Sequence, residues 1–265
     1  MPASCIQSAV RLGKIKIFPI KSLDGICLDE ARFTAGGILE NDRLLAIYDE
    51  HGRVVNGKRT GRVHDLRCEF DAGIQEVQLW QGGESTKSQF PLDDMEHLGQ
   101  WLSGFFGFKV EVRRDAVKGF PDDLEAFGPT ITSEESLRAV QSWYPNLELE
   151  SVRRRFRANL ELTGGEPFCE DGLYGPPGEL KPFQIGDVRF LGHNPCQRCV
   201  VPTRDPDNGE GVPDFQKKFM EERKKYLPSW ANAQRFNHYY RFAVNTSVPS
   251  TEAGKVLRVG DRVSV

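Results

Sequence analysis

The apolar residues of this chain recur at every second position over short runs, and Gly, Asp, Asn or Pro closes nearly every run. That period is the signature of half-buried strands, whose side chains point alternately to core and solvent. Lys14 to Ile17, Gln75 to Trp80, Lys109 to Arg113 and Phe156 to Leu162 follow it. Leu44 to Tyr48 is instead a continuous apolar run, as expected of a strand buried on both faces. Three segments carry a period near 3.6 and are expected to be helices: Leu92 to Phe105, Ser133 to Tyr144 and Pro213 to Tyr226. Thr132 with Glu135 three residues on is a candidate capping box for the second, and Pro145 closes it.

The 26 Gly and 16 Pro among 265 residues argue against a coiled coil or a plain helical bundle. A net charge of -3 argues against a whole-surface attraction to nucleic acid, so no nucleic-acid partner is expected. No run reaches the roughly 18 apolar residues that span a bilayer, and Met1 to Lys14 lacks the apolar core of a secretory signal. Six scattered cysteines do not make a disulfide framework. The expected setting is therefore soluble, reducing and cytoplasmic, with a mitochondrial association left open by this chain. Asp115 to Thr130, rich in Gly, Pro and Asp, reads as a connection between two β-rich halves. Ile185-Gly186-Asp187-Val188 and Val259-Gly260-Asp261-Arg262 read as two tight entries into strands of one small barrel.

The densest local signal is Pro195-Cys196-Gln197-Arg198-Cys199, followed by Val200-Val201-Pro202-Thr203-Arg204 and Asp205-Pro206-Asp207-Asn208-Gly209. A zinc site wants four ligands, and the other cysteines are isolated, with His193 the only nearby imidazole. A thioredoxin-like pair opens a helix, whereas the residues after Cys199 are β-branched and interrupted by proline. A third reading is a single soft thiolate offered to a transition metal, with Arg198 beside it favouring the ionised sulfur. A buried, inert cysteine is the plain alternative.

The run from Cys196 to Thr203 with Asp205 to Gly209 resembles the signature of MOSC domains, found in molybdenum cofactor sulfurases and amidoxime-reducing components. Phe18-Pro19-Ile20-Lys21-Ser22, Gly36-Gly37 and Asn41-Asp42-Arg43 resemble the β-barrel domain that precedes them. Arg155 to Leu160, Glu170-Asp171 and Ile185 to Val188 continue the likeness in the family's order. The resemblance implies a mainly β fold with peripheral helices (α+β), an N-terminal barrel over residues 10–120 and a MOSC barrel over 121–265, with an early strand free to complete the later barrel. It further implies a molybdenum-pterin cofactor with Cys199 as the metal thiolate and catalytic residue. Cys196 is then either a spare redox thiol or a packing residue. Lys21, Ser22, Arg43, Arg157 and Asn159 match cofactor-contacting positions, since a pterin phosphate needs fixed cations and donors.

Arg153, Arg155 and Arg157 would form a basic stripe on one face of a strand, or ordinary solvated charge. Thr132 and Ser133 begin a helix whose N-terminus suits a phosphate, or merely cap it. Tyr239 matches a tyrosine near the metal, with Tyr240 leaving the register open by one, and His238 reads as a hydrogen-bonding residue. The activity implied is reduction of N-hydroxylated small molecules, with Cys199, Arg198 and Tyr239 as catalytic residues and electrons from a separate protein such as cytochrome b5 with its reductase. No membrane anchor, ferredoxin-like domain or pyridoxal-phosphate desulfurase half is expected in this chain. A carrier of cofactor or persulfide, and a zinc-stabilised β protein using Cys196 and Cys199, are the rival readings.

Overall fold

The computed structural model describes residues 9–265; Cys5 and most of the amino-terminal lead lie outside the described residues. In chain order the elements are β1 (Arg11–Ile17), β2 (Ile26–Leu28), β3 (Glu30–Arg32), β4 (Leu45–Asp49), α1 (Arg62–Asp65), β5 (Leu66–Phe70), β6 (Glu76–Gln81), β7 (Ser88–Pro91), α2 (Met95–Phe106) and β8 (Val110–Arg114). The second half holds β9 (Ile131–Ser133), α3 (Glu134–Trp143), α4 (Leu149–Phe156), β10 (Leu160–Thr163), β11 (Lys181–Ile185), β12 (Val188–Gln197), α5 (Phe215–Lys225), β13 (Arg241–Ser247), β14 (Val256–Arg258) and β15 (Val263–Ser264). The architecture is mainly β with helices packed outside it.

An eight-stranded sheet runs in the order β15-β11-β12-β13-β9-β10-β1-β2, so two early strands complete the sheet of the second half. Its one parallel pair is β10 with β9. The first half adds the pair β4-β8 and the meander β5-β6-β7, while β14 crosses back onto β3. One apolar core runs through both halves, and a second, aromatic cluster of Phe156, Phe215, Phe219 and Phe242 sits beneath α3, α4 and α5. The two Gly-Asp turns lie against each other: the Gly186 N–H donates to Arg262 O at 2.9 Å, and φ of +56° at Gly186 leaves room for Asp261. A Cβ there would stand 2.7 Å from the Asp261 carboxylate.

Most of the periodicity reading matches these elements. The alternating runs at Lys14, Gln75 and Lys109 fall in β1, β6 and β8, and Leu44 to Tyr48 becomes β4, with Leu45, Ala46 and Ile47 all buried. The three expected helices are α2, α3 and α5. Three expectations are corrected. Phe156 to Leu162 is not one strand: α4 occupies Leu149–Phe156, Arg157 caps it in the left-handed region at φ of 53°, and β10 resumes at Leu160. Burial of Val152 and Phe156, four apart, sets a helical face and overrides the local alternation. The basic stripe therefore dissolves into a helix turn whose arginines diverge, Arg153 to Glu161, Arg154 to Asp207 and Arg155 to Asp205. The cap of α3 is Ser133, whose Oγ accepts from Ser136 N at 3.2 Å, while Thr132 belongs to β9 and Glu135 turns away to Gly164 N.

Candidate functional site

The site is built where β12 ends. Its antiparallel register with β13 slips between Pro195 and Gln197, and Arg198 N donates to Tyr240 O at 3.0 Å as the strand gives out. The chain then turns through Cys199 into a short 3-10 turn at Val201–Thr203, and the Val201 N–H points at Cys199 Sγ, 3.5 Å away. Cys196 and Cys199 are both free thiols, half-buried, on the wall of a cleft of about 750 Å³. Among the described residues no three His, Cys, Asp or Glu side chains gather into a metal-holding group, so a zinc site on the two thiols lacks its further ligands.

Charge distinguishes the cleft from the rest of the molecule. Twelve Lys and Arg residues line it against three Asp, in a chain whose acids outnumber its bases. Six of the twelve, Lys58, Arg157, Arg198, Arg204, Arg235 and Arg241, have no carboxylate ion pair among the described residues. Low-dielectric walls concentrate such a field.

Lys21, Ser22, Arg43 and Arg157 meet on one wall. Lys21 Nζ donates to Phe120 O at 2.9 Å and Pro121 O at 3.1 Å and pairs with Asp122 at 2.9 Å, which ties the Asp115 to Thr130 connection into the cleft. Burial pulls the Lys21 ammonium below its ordinary range, with Arg43 and Lys58 adding to the effect and Asp122 opposing it. Arg43 and Ser22 both sit at positive φ, 50° and 78°, which turns the chain sharply at each. The Arg43 guanidinium lies between Asp42 and Asn159 Oδ1, the latter at 3.4 Å. Burial opposes its charge, but Asp42, Asp122 and Cys196 outweigh burial and raise it. Arg157 lies over the Phe18 ring at 4.0 Å and donates to Leu23 O at 2.7 Å; burial, then Arg43, hold it down at about 10 against Asp24.

Other expected site residues stand elsewhere. Asn159 is buried outside this cleft, and its amide is consumed by Thr130, Lys16 O and Arg43, so it positions Arg43 rather than facing the cavity. Thr132 and Ser133 are also outside it: their hydroxyls donate to the buried Glu170 carboxylate at 3.2 and 2.9 Å, so this side chain rather than a phosphate engages the start of α3. Arg198 lines the cleft, but its guanidinium donates to Cys196 Sγ at 3.3 Å and Phe156 O at 2.6 Å, so it attends the first cysteine of the motif. Tyr239 stacks on Phe236 at 5.8 Å and does not line the cleft. Tyr240 does not line the cleft either: it is buried edge-on to Phe219 at 5.4 Å, and burial pushes its phenol up, with Arg198 opposing and Cys199 adding. Its buried hydroxyl has no hydrogen-bond partner among the described residues. His238 accepts from Tyr240 N at 3.2 Å, as a hydrogen-bonding residue would.

Sequence reasoning missed His64, Lys58, Arg204, Arg235 and Arg241, all on the cleft wall. Arg204 lies in the cysteine motif, where nothing in its spacing marks it as a cleft cation, and the others sit in no motif of recognisable spacing. It also misread Arg155, whose fully buried guanidinium clasps the loop after Cys199 through Pro202 O at 3.2 Å, Arg204 O and Asp205 at 3.2 Å.

The family model of the MOSC domain matches residues 129–264, which includes the whole cysteine motif, and the model of the MOSC N-terminal beta barrel domain matches residues 9–100. The chain belongs to the MOSC family. Relatives within reach of this MOSC protein include the mitochondrial amidoxime-reducing component 1 of Homo sapiens, 26% identical over 87% of this chain and 79% of that protein. Its counterpart in Mus musculus is 25% identical over 97% and 83%. The molybdenum cofactor sulfurase of Caenorhabditis elegans is 27% identical over 78% of this chain but only 31% of its own length, so the MOSC chain spans about a third of that protein.

Proposed function

We propose that the cleft holds a molybdenum-pterin cofactor with Cys199 as the protein thiolate, and that the protein is an oxidoreductase reducing N-hydroxylated small molecules. The single observation that carries this reading is a free thiol on the wall of a 750 Å³ cleft lined by twelve cations and three acids. The donor set fits: a soft sulfur suits a transition metal with other sulfur ligands, and guanidinium and ammonium groups suit a phosphate tail. The buried Arg198 Nε, unpartnered among the described residues, fits a site completed by an anionic ligand. Asn159 and the Thr132–Ser133 pair act behind this shell, the first through Arg43 and the second on Glu170.

When bound, the metal supplies the two electrons that cleave the N–O bond, which with two protons gives the N–H compound and water. Cys199 would hold the group, oriented by the Val201 N–H and by the loop that Arg155 clasps. Lys21, Ser22, Arg43 and Arg157 would hold its polar tail against the Phe18 side of the cleft. Electrons would come from a separate donor protein, for which the family resemblance implies cytochrome b5 with its reductase. No helix among the described residues is long and apolar enough to cross a membrane; free thiols at Cys27, Cys68, Cys196 and Cys199 support a reducing, cytoplasmic setting.

The test is expression with the cofactor pathway intact, then molybdenum and pterin analysis of wild type, Cys199→Ala and Cys196→Ala, with benzamidoxime turnover under an artificial donor. Molybdenum and pterin are expected in wild type and in Cys196→Ala, and lost in Cys199→Ala. Full retention in Cys199→Ala would refute the ligand assignment. Loaded protein that is inert with benzamidoxime but activates a molybdenum-free apoenzyme would favour the carrier reading.

A further inference from the structure

Cation in the cleft exceeds what the cofactor set uses. Lys21 and Arg43 already have carboxylate partners, whereas the Lys58 and Arg204 side chains have no hydrogen bond or ion pair among the described residues. A phosphate monoester brings only about two negative charges, against six cleft cations without an ion pair.

Arg204 lies beside one imidazole, and Lys58 follows the glycine packed against it, with its charge felt at Lys21 and Asp122. His64 is 9% exposed, lines the cleft, and its buried Nε2 has no hydrogen-bond partner among the described residues. Its ring is held between two glycines. A Cβ on Gly57, beside Lys58, would stand 2.8 Å from Nε2 and 3.6 Å from Val201 Cγ2, and one on Gly209 would stand 3.2 Å from Cδ2. The absence of a side chain at Gly57 therefore lets the backbone pass close to the imidazole, next to the turn that follows Cys199, and a side chain there would crowd the ring. Gly61, whose carbonyl accepts from His64 N, lies with its Cβ position 3.8 Å from the Arg204 guanidinium. The acids of this wall are engaged or turned elsewhere: Asp205 is held by Arg155, and Asp122 by Lys21. Burial first, then the charges of Arg204 and Arg157, push the His64 imidazole below its ordinary range against Asp65 and Asp205.

We infer that the wall formed by Lys58, His64 and Arg204 is a substrate anion site, selecting N-hydroxylated compounds that carry a carboxylate or phosphate beside the reducible group. Neutral imidazole supplies an N–H donor for the anion while the two cations supply the charge. This rests on the reading of the cleft as a reductase site, and it adds the substrate class.

The experiment compares benzamidoxime with 4-carboxybenzamidoxime on the cofactor-loaded full chain with an artificial donor, and measures the binding of both by calorimetry. The kcat/KM ratio of carboxylated to neutral substrate is expected at about tenfold or more at low salt, falling as ionic strength rises. Arg204→Gln, Lys58→Gln and Gly57→Ala each lower that ratio severalfold, and Lys58→Gln with Arg204→Gln together bring it near one. A wild-type ratio near one, or a ratio that survives the variants, overturns the inference. Turnover of neither substrate defeats the reductase reading alone; calorimetry then decides, with preferential, Arg204-dependent binding of the carboxylated compound supporting the anion site and equal binding overturning it. Loss of preference in the loaded protein, with Arg204-dependent binding of inorganic phosphate to cofactor-free protein, would assign the wall to the cofactor's own phosphate and also overturn it. Should Arg204→Gln fail to fold, Lys58→Gln and Gly57→Ala, at an exposed residue and at a glycine with ordinary backbone angles, carry the same comparison.

Discussion

Replacing Arg155 with methionine keeps most of the side-chain volume and removes the clasp on the loop that follows Cys199. The guanidinium is fully buried; it donates to Ser151 Oγ at 3.3 Å, to Pro202 O at 3.2 Å, to Arg204 O and to Asp205 at 3.2 Å. Hydrogen bonds to a charged group contribute about 1.5–3 kcal/mol each. The Asp205 share is discounted because that carboxylate is 33% exposed and water takes over part of the pairing. Removing a buried charge also returns its desolvation cost. The net loss is about 3 kcal/mol, which for a chain of this size lowers Tm by roughly 6–12 °C. Arg154→Met is the graded comparison, since it reaches the same loop farther on, at Pro206 O at 3.0 Å and at Asp207, which is 63% exposed, and its loss should stay below about 2 kcal/mol. Thermal unfolding by circular dichroism reads the global effect, and the rate of Cys199 alkylation by iodoacetamide in a Cys196→Ala background reads the loop. Arg155→Met is expected to melt lower and alkylate faster than Arg154→Met. Equal melting and equal alkylation in the two variants would refute the claim that Arg155 positions the loop.

The buried Glu170 carboxyl, raised to about 7 by burial first and the neighbouring Asp171 carboxylate second, gives a pH prediction. The fold holds its proton more tightly than the unfolded chain does, near the ordinary 4.5, so its contribution is full below about pH 4.5 and declines as pH rises to about 7. Glu170→Gln should flatten that part of the stability profile, measured as Tm against pH, and an unchanged slope would count against it. Phe156→Ala opens a cavity among Phe215, Phe219 and Phe242 and should cost about 3–5 kcal/mol in urea unfolding. A loss below about 1 kcal/mol would mean that the aromatic cluster is not tightly packed.

How far the sequence could be read follows from which residues carry a local period. Strands such as β4 and helices such as α2 and α3 announce themselves because their burial repeats at fixed spacing. Arg153-Arg154-Arg155 misleads because three adjacent cations hide the Val152 to Phe156 step that drives α4. The motif cysteines are legible because they are dense in sequence. The partners of the site are not, since Lys21 finds Asp122 and Arg157 finds Leu23 O only after the two halves close. Burial also reassigns roles: Arg198, adjacent to both cysteines in sequence, is drawn to Cys196 and Phe156 O by the strand's turn, leaving the Val201 N–H as the donor at Cys199. The same closure turns Tyr240 rather than Tyr239 inward, because β13 begins at Arg241 and Tyr240 packs edge-on to Phe219 at 5.4 Å. The chemistry of the cleft is thus written in one short motif, while its electrostatics belong to cations that long-range packing collects from both halves of the chain.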